Sequence, residues 1–346
     1  MRKILLVILL AVFTAIPVHA MEFEPPVVPD SGELYMPEDT QSFGEGLWFV
    51  IKSAINAFLP EIGKTAGTCT MVFGAAMLTG ILEHFPGTSK RVTHLAGTLL
   101  IGVVLLSPAN MLIELGLKTV TEMTQYGKLL LPVLTGALAA QGGVTSSSAL
   151  YVTTIFFVTV LSTLVTKVIV PLVYIFFCLS LINSAVGEPL LQNLRDFVKW
   201  LICWCLKTIL YVFTGFMTIT GVVSGTADAS AVKAVKLTLS GMIPVVGGII
   251  SDASETILVG ASVMKSAAGV YGILAIIAVF IGPFLKIGAQ YLTLKLTGSV
   301  CQIFTGKQEA ALLKDFSGGM GILLGMTGTV CLLLLISVVC FMKGVT

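Results

Sequence analysis

The chain has 346 residues, of which 56% are hydrophobic and 11% charged, with a mean hydropathy of +1.00 and a formal net charge of +2. A soluble domain carries about 25% charged residues, and several runs here approach the roughly 20 apolar residues that cross a bilayer. The composition therefore excludes a water-soluble globule and predicts an all-α polytopic membrane protein.

Residues 1–20 read as a signal peptide. Arg2 and Lys3 precede an apolar stretch, and Val18-His19-Ala20 offers a small-residue cleavage site; an uncleaved anchor helix is the other reading. Residues 21–46 carry seven acids (Glu22, Glu24, Asp30, Glu33, Glu38, Asp39, Glu45) and no Lys or Arg. They predict a flexible acidic tail outside the cytoplasm. Residues 47–128 form an N-terminal block of amphipathic and transmembrane segments. An amphipathic helix is expected over 44–62, with Trp48 and Lys52 suited to an interface. An apolar run follows over 66–82, then a polar loop with Lys90 and Arg91, a span over 92–115 and a short amphipathic piece over 117–128. The positive-inside rule puts Lys90 and Arg91 on the inner face.

The remainder contains an echo. Leu131-Pro132-Val133-Leu134-Thr135-Gly136 returns as Ile243-Pro244-Val245-Val246-Gly247-Gly248, with Pro132 and Pro244 112 residues apart. At the same offset Pro171 meets Pro283, and Leu194-Arg195-Asp196-Phe197 is echoed later by Leu313-Lys314-Asp315-Phe316. Landmarks recurring in order predict an internal duplication, with membrane repeat 1 over 129–227 and membrane repeat 2 over 228–346. Each repeat opens with a short membrane helix broken by Pro and Gly, over 129–140 and 242–250. Each continues through paired apolar runs (149–166 with 168–185; 267–285 with 287–304) and closes on a polar helix and a long span. If the short segments cross, each repeat has four crossings and the repeats are parallel; if they are re-entrant, each has three and the repeats are inverted. Charge favours the parallel form, because Arg195, Lys199, Lys207, Lys307 and Lys314 then share the face of Lys90 and Arg91. Segment length favours the inverted form.

Broken backbone at membrane depth must line water or be buried in protein. The transport-path candidates are therefore Pro132, Gly136, Gln141, Gly142, Gly143, Pro244, Gly247, Gly248, Asp252 and Glu255. Simple kinks in packed helices are the competing reading of the prolines, and an ordinary aqueous loop is the competing reading of Asp252 and Glu255. The seven cysteines all lie in apolar stretches and read as packing residues rather than a disulfide framework. Gly63-Lys64-Thr65 ends like a phosphate loop, but Phe58 stands where its first glycine belongs. His19, His84 and His94 have no metal-ligand spacing. No enzyme, cofactor, metal or nucleic-acid partner is expected.

From about Leu99 onward the chain resembles the stage III sporulation protein AE family of endospore-forming bacteria. The residues that carry the resemblance include Leu105-Leu106-Ser107-Pro108, Leu130-Leu131-Pro132-Val133-Leu134-Thr135-Gly136, Leu181-Ile182-Asn183 and Lys199-Trp200. Others are Gly221-Val222-Val223, Lys233-Ala234-Val235-Lys236, Ile243-Pro244-Val245-Val246-Gly247-Gly248 and Ser251-Asp252-Ala253-Ser254-Glu255-Thr256. The resemblance implies a permease-like subunit of the mother cell–forespore channel complex, in the mother-cell (outer forespore) membrane. Implied partners are the other proteins of the stage III sporulation A operon, including a secretion-type ATPase and ring-forming proteins, together with membrane lipid. A non-conducting scaffold and a free-standing secondary transporter are the alternatives. The family brings no active site to carry over.

Overall fold

A computed structural model describes residues 26–37, 42–82, 90–242, 247–303 and 307–343, with the backbone alone at 61, 64, 65, 82, 90, 91 and 307 and over 221–261. Among the described residues all regular structure is helical: α1 (Asp30–Glu33), α2 (Phe43–Phe58), a 3₁₀ turn (Leu59–Glu61), α3 (Ile62–Leu82), α4 (Lys90–Ala140), α5 (Val144–Leu164), a π turn (Val165–Ile169), α6 (Val170–Val186), α7 (Pro189–Met242), α8 (Gly247–Cys301) and α9 (Lys307–Lys343). Among the described residues, five helical stretches are long and apolar enough to cross a membrane.

Local chemistry sets the ends. The Ser42 side chain caps α2 by accepting from the Glu45 amide at 3.3 Å, which satisfies a donor that a helix N-terminus otherwise leaves open. α4 stops at Gln141-Gly142-Gly143. Gly142 has φ 92°, and the Gly142 and Gly143 amides donate back to Ala139 and Leu138 at 2.9 and 3.1 Å, the paired closure that a left-handed residue allows. α6 ends at Gly187 (φ 76°), and Pro189 opens α7 two residues later, glycine closing one helix and proline starting the next.

Sequence neighbours run up and down as long rods. One end of the bundle collects the end of α3, the start of α4, the end of α6, the start of α7, the end of α8 and the start of α9. There Gly97 of α4 meets Thr79 of α3, Gly102 meets Leu181 of α6, and Gly298 of α8 meets Leu313 of α9. At the opposite end Gln141 of the α4–α5 turn reaches Lys265 of α8. α9 runs along the axis, in contact with α4, α5, α6, α7 and α8. Phe316, Met320, Leu323, Met326, Leu334 and Phe341 are 0 or 1% exposed along its length. Gly116 and Gly127 let α4 lie close to it, since a Cβ there would stand 3.0 Å from Met326 and 2.6 Å from Leu334.

Several expected boundaries are absent. The segments expected over 92–115, 117–128 and 129–140 are one helix of 51 residues with Pro108 and Pro132 inside it, so the first short Pro/Gly-broken helix is the far end of α4. The paired runs 149–166 and 168–185 pass through Lys167 in a π turn, and 267–285 passes into 287–304 through Pro283 within α8. The polar break expected around Asp252 and Glu255 is helical. A proline costs a helix one hydrogen bond and a steric clash, and contacts along these rods outweigh that. The helix positions of the basic residues nevertheless share one end, since α4, α7 and α9 all start there with Lys90, Arg91, Arg195, Lys199, Lys307 and Lys314 in their first turns or soon after, while Lys207 lies further along α7; this comes through two continuous rods per expected repeat rather than four short crossings. The acidic segment also differs from a free tail over residues 26–37. Val28 and Gly32 are buried, a Cβ at Gly32 would meet Val279 of α8 at 2.6 Å, and Tyr35 packs on Gly282. Residues 1–20, where a signal peptide is expected, lie outside the described residues.

Candidate functional site

The densest polar chemistry lies at the basic end, where the two echoing sequences touch. Arg195 near the start of α7 is 8% exposed. Its Nη1 donates to Asp315 of α9 in a short bond, while Nε and Nη2 donate to Asp196 at 3.1 and 2.8 Å. The Arg-Asp of the first echo therefore reaches the Asp of the second. Lys199, one turn further along α7, places its Nζ 3.1 Å from where a Cβ on Gly318 would stand. Phe316 follows Asp315 and stacks at a tilt on Phe177, centroids 4.8 Å apart. An arginine fork gathering two carboxylates ties α7 to α9 with directional, charge-assisted bonds.

A second polar contact at the same end joins α4 to α9. His94 Nδ1 lies 2.9 Å from Oε1 of Glu309, whose side chain is fully buried. Glu309 Oε2 and the Thr98 hydroxyl, one turn from His94, are buried without a hydrogen-bond partner. The sequence reading overlooked this pair; the signal was Glu309, an acid in the first turn of a helix whose later turns are apolar.

The expected path residues do not form one lining. Pro132 and Gly136 are exposed, and a Cβ on Gly136 would meet nothing within 4 Å, so both face outward from the bundle. Gln141, Gly142 and Gly143 form the turn at the far end, where Gln141 Oε1 accepts from Lys265 Nζ at 3.1 Å. Gly247, Gly248, Asp252 and Glu255 lie on the first turns of α8, known by backbone alone, and Pro244 lies outside the described residues. Among the described residues, clefts lie away from the axis. One of about 410 Å³ lies between Ser42, Phe43 and the stretch of α8 from Ser262 to Val270; one of about 340 Å³ lies between α4 and α6, lined by Asn110, Tyr174 and Phe177 among others. All seven cysteines are free.

The family model for stage III sporulation protein AE matches residues 46–344. The chain belongs to the stage III sporulation protein AE family. Stage III sporulation protein AE of Bacillus subtilis (strain 168) is 20% identical to it over 271 residues, covering 77% of this chain and 67% of the relative. No solved structure matches. The family match takes in the whole rod bundle, including the Arg195–Asp315 bridge and the His94–Glu309 pair, and leaves out the acidic stretch before residue 46. The chain is thus a sporulation protein built of membrane-length helices.

Proposed function

We propose that this chain is the polytopic membrane subunit of the mother cell–forespore channel complex, holding the complex's ATPase and ring-forming proteins at the membrane. The observation that carries the scaffold form of this role is the packed axis. α9 fills the centre of the bundle with fully buried Phe, Met and Leu side chains, and interiors packed in this way leave no room for a hydrated solute. The end where α4, α7 and α9 start, which holds Lys199 and the Arg195 bridge, is the cytoplasmic face by the positive-inside rule and the docking side for the ATPase.

The permease-like form keeps a claim through the α4–α5 turn, where Gln141 and buried Lys265 put hydrogen-bonding groups at one end of apolar rods. Purified chain reconstituted into vesicles, alone and with its partners, separates the forms. The scaffold reading expects co-purification of the ATPase and no small-solute flux from the chain alone; partner-independent flux overturns it. Asp252→Ala with Glu255→Ala in a spore-forming host adds an independent reading: heat-resistant spores lost while the complex stays intact shift the assignment to a conduit. Single cysteines at Ser147, on the first turn of α5, and Ser254, two turns into α8, test the topology. Both rods start at the same end, so both cysteines label from the same side of the membrane.

A further inference from the structure

The acidic stretch before α2 dips into the membrane. Gly32 packs on Val279 of α8, where an added Cβ would stand 2.6 Å from the side chain and 3.0 Å from the backbone nitrogen, and Tyr35 packs on Gly282. Ser31 donates to Glu122 of α4. The register of the rods gives the depth of these contacts. Gly269 of α8 meets Met342 of α9 and Gly298 meets Leu313, which sets Val279 and Gly282 opposite Thr329–Leu332. Gly116 and Gly127 of α4 meet Met326 and Leu334, which sets Glu122 at the same height. That height is the middle of 316–342, a stretch of α9 without a charged residue, and lies roughly 20 Å of helix below Lys343. Residues 26–37 are therefore seated near the bilayer centre, in the seam between α4 and α8.

The chemistry there calls for water. Asp30 and Glu33 are exposed, and carboxylates at that depth face water or protein, not hydrocarbon. The segment is helical only over Asp30–Glu33, and other backbone at that depth must be buried in protein or line water. The chain continues to Ser42 and Phe43, which stand beside Ser262–Val270 of α8. That is the end of the bundle holding Gln141 and Lys265, the outer end by the positive-inside rule. In passing from the bilayer centre to the outer end, the chain carries its own polar route to bulk water. The seam stays polar beneath the segment. Tyr271 lies within electrostatic reach of both Glu33 and Tyr126, and the Tyr126 hydroxyl is buried without a hydrogen-bond partner.

We infer that residues 26–37 are a plug, closing near the bilayer centre an aqueous crevice between α4 and α8 that opens to the outer face. On the outer side of the plug, water solvates Asp30 and Glu33. Beneath it, Tyr126 and Thr119, 1% and 2% exposed and each one turn from Glu122, stay dry. The crevice runs along the flank of the bundle and leaves the packed axis intact. The inference rests on the membrane reading of the rods and needs neither the scaffold nor the conduit form of the proposed function.

The test uses the full chain with its seven cysteines replaced, at wild-type abundance in right-side-out membrane vesicles. Asp30→Cys and Glu33→Cys are expected to react with a membrane-impermeant maleimide added outside, and Thr119→Cys is not. Protection of both exposed positions, whether by lipid or by a covering protein, overturns the crevice. Gly32→Leu drives a side chain into the Val279 backbone and is expected to bring the Thr119→Cys rate up to that of Glu33→Cys. Replacing residues 30–35 by a Gly/Ser linker of equal length does the same without an added clash. A Thr119→Cys that stays unreactive in both, or reacts with the plug in place, overturns the plug. Gly32→Cys with Val279→Cys checks the seat with the acids intact. A Cβ 3.0 Å from the Val279 nitrogen keeps the two Cα atoms within the about 7 Å that a disulfide spans. An intrachain disulfide under mild oxidation is expected, and its absence overturns the seat. Retained co-purification of the ATPase with a chain that fails these tests leaves the subunit role standing.

Discussion

Removing Arg195 is expected to cost more than removing its main partner, and the asymmetry follows from burial. The side chains of Arg195 and Asp315 are 10% and 13% exposed, whereas Asp196 is 56% exposed. Arg195→Leu strands the Asp315 carboxylate inside the bundle, and breaking a buried pair from one side costs about 3–5 kcal/mol. Lys199 nearby offsets part of that. Asp315→Leu leaves the guanidinium with both bonds to Asp196, so the loss is nearer one charged hydrogen bond, about 1.5–3 kcal/mol. The double variant replaces the pair by apolar groups and recovers most of the single-variant loss. Denaturant unfolding of the detergent-solubilised protein, run as a double-mutant cycle, reads all three values. Equal costs for the two single variants, or strict additivity in the double, refutes a buried bridge between α7 and α9.

Gly127→Leu is expected to destabilise by about 1–3 kcal/mol because its side chain meets Leu334, while Gly136→Leu, opening on empty space, leaves the melting curve unchanged. His94→Ala leaves the fully buried Glu309 carboxylate without its imidazole. A loss of about 1.5–3 kcal/mol, that of a hydrogen bond to a charged group, is expected, and most of it should return in His94→Ala with Glu309→Leu. Gln141→Ala removes the acceptor 3.1 Å from Lys265 Nζ and is expected to cost about 1.5–3 kcal/mol, measured in the same unfolding assay.

Composition and apolar runs were enough to read helices and a membrane, because both are sums over many residues. Continuity was not legible. Lys167 and Lys286 are the single residues between the paired apolar runs expected as separate segments, yet the helix passes through both. A lone lysine sets no boundary when it lies on an exposed side of the rod, as both do, and only neighbouring rods decide which side that is. Pro132 failed as a break for a related reason: it lies on the exposed face of α4, where a missing amide disturbs no interhelical contact. The echo around Arg195 and Asp315 was visible as a pattern, but its meaning needed coordinates, since offset along a chain does not say that two motifs touch. Residues 26–37 read only as part of an acidic tail, because their depth depends on which part of α8 lies beside them.

The axial position of α9 bears on how the molecule is made. A growing chain emerges from its N-terminus, so α9 is synthesised after every rod it touches. Until then the inner faces of α4, α6, α7 and α8, with Phe176, Phe177, Leu130 and Ile276, surround a cleft with no occupant. A chain interrupted before residue 307 would leave four inserted rods and no keystone, a species open to membrane quality-control proteases. Abundance of the protein should therefore respond more steeply to lesions in α9 than to equally severe lesions in α5 or α7.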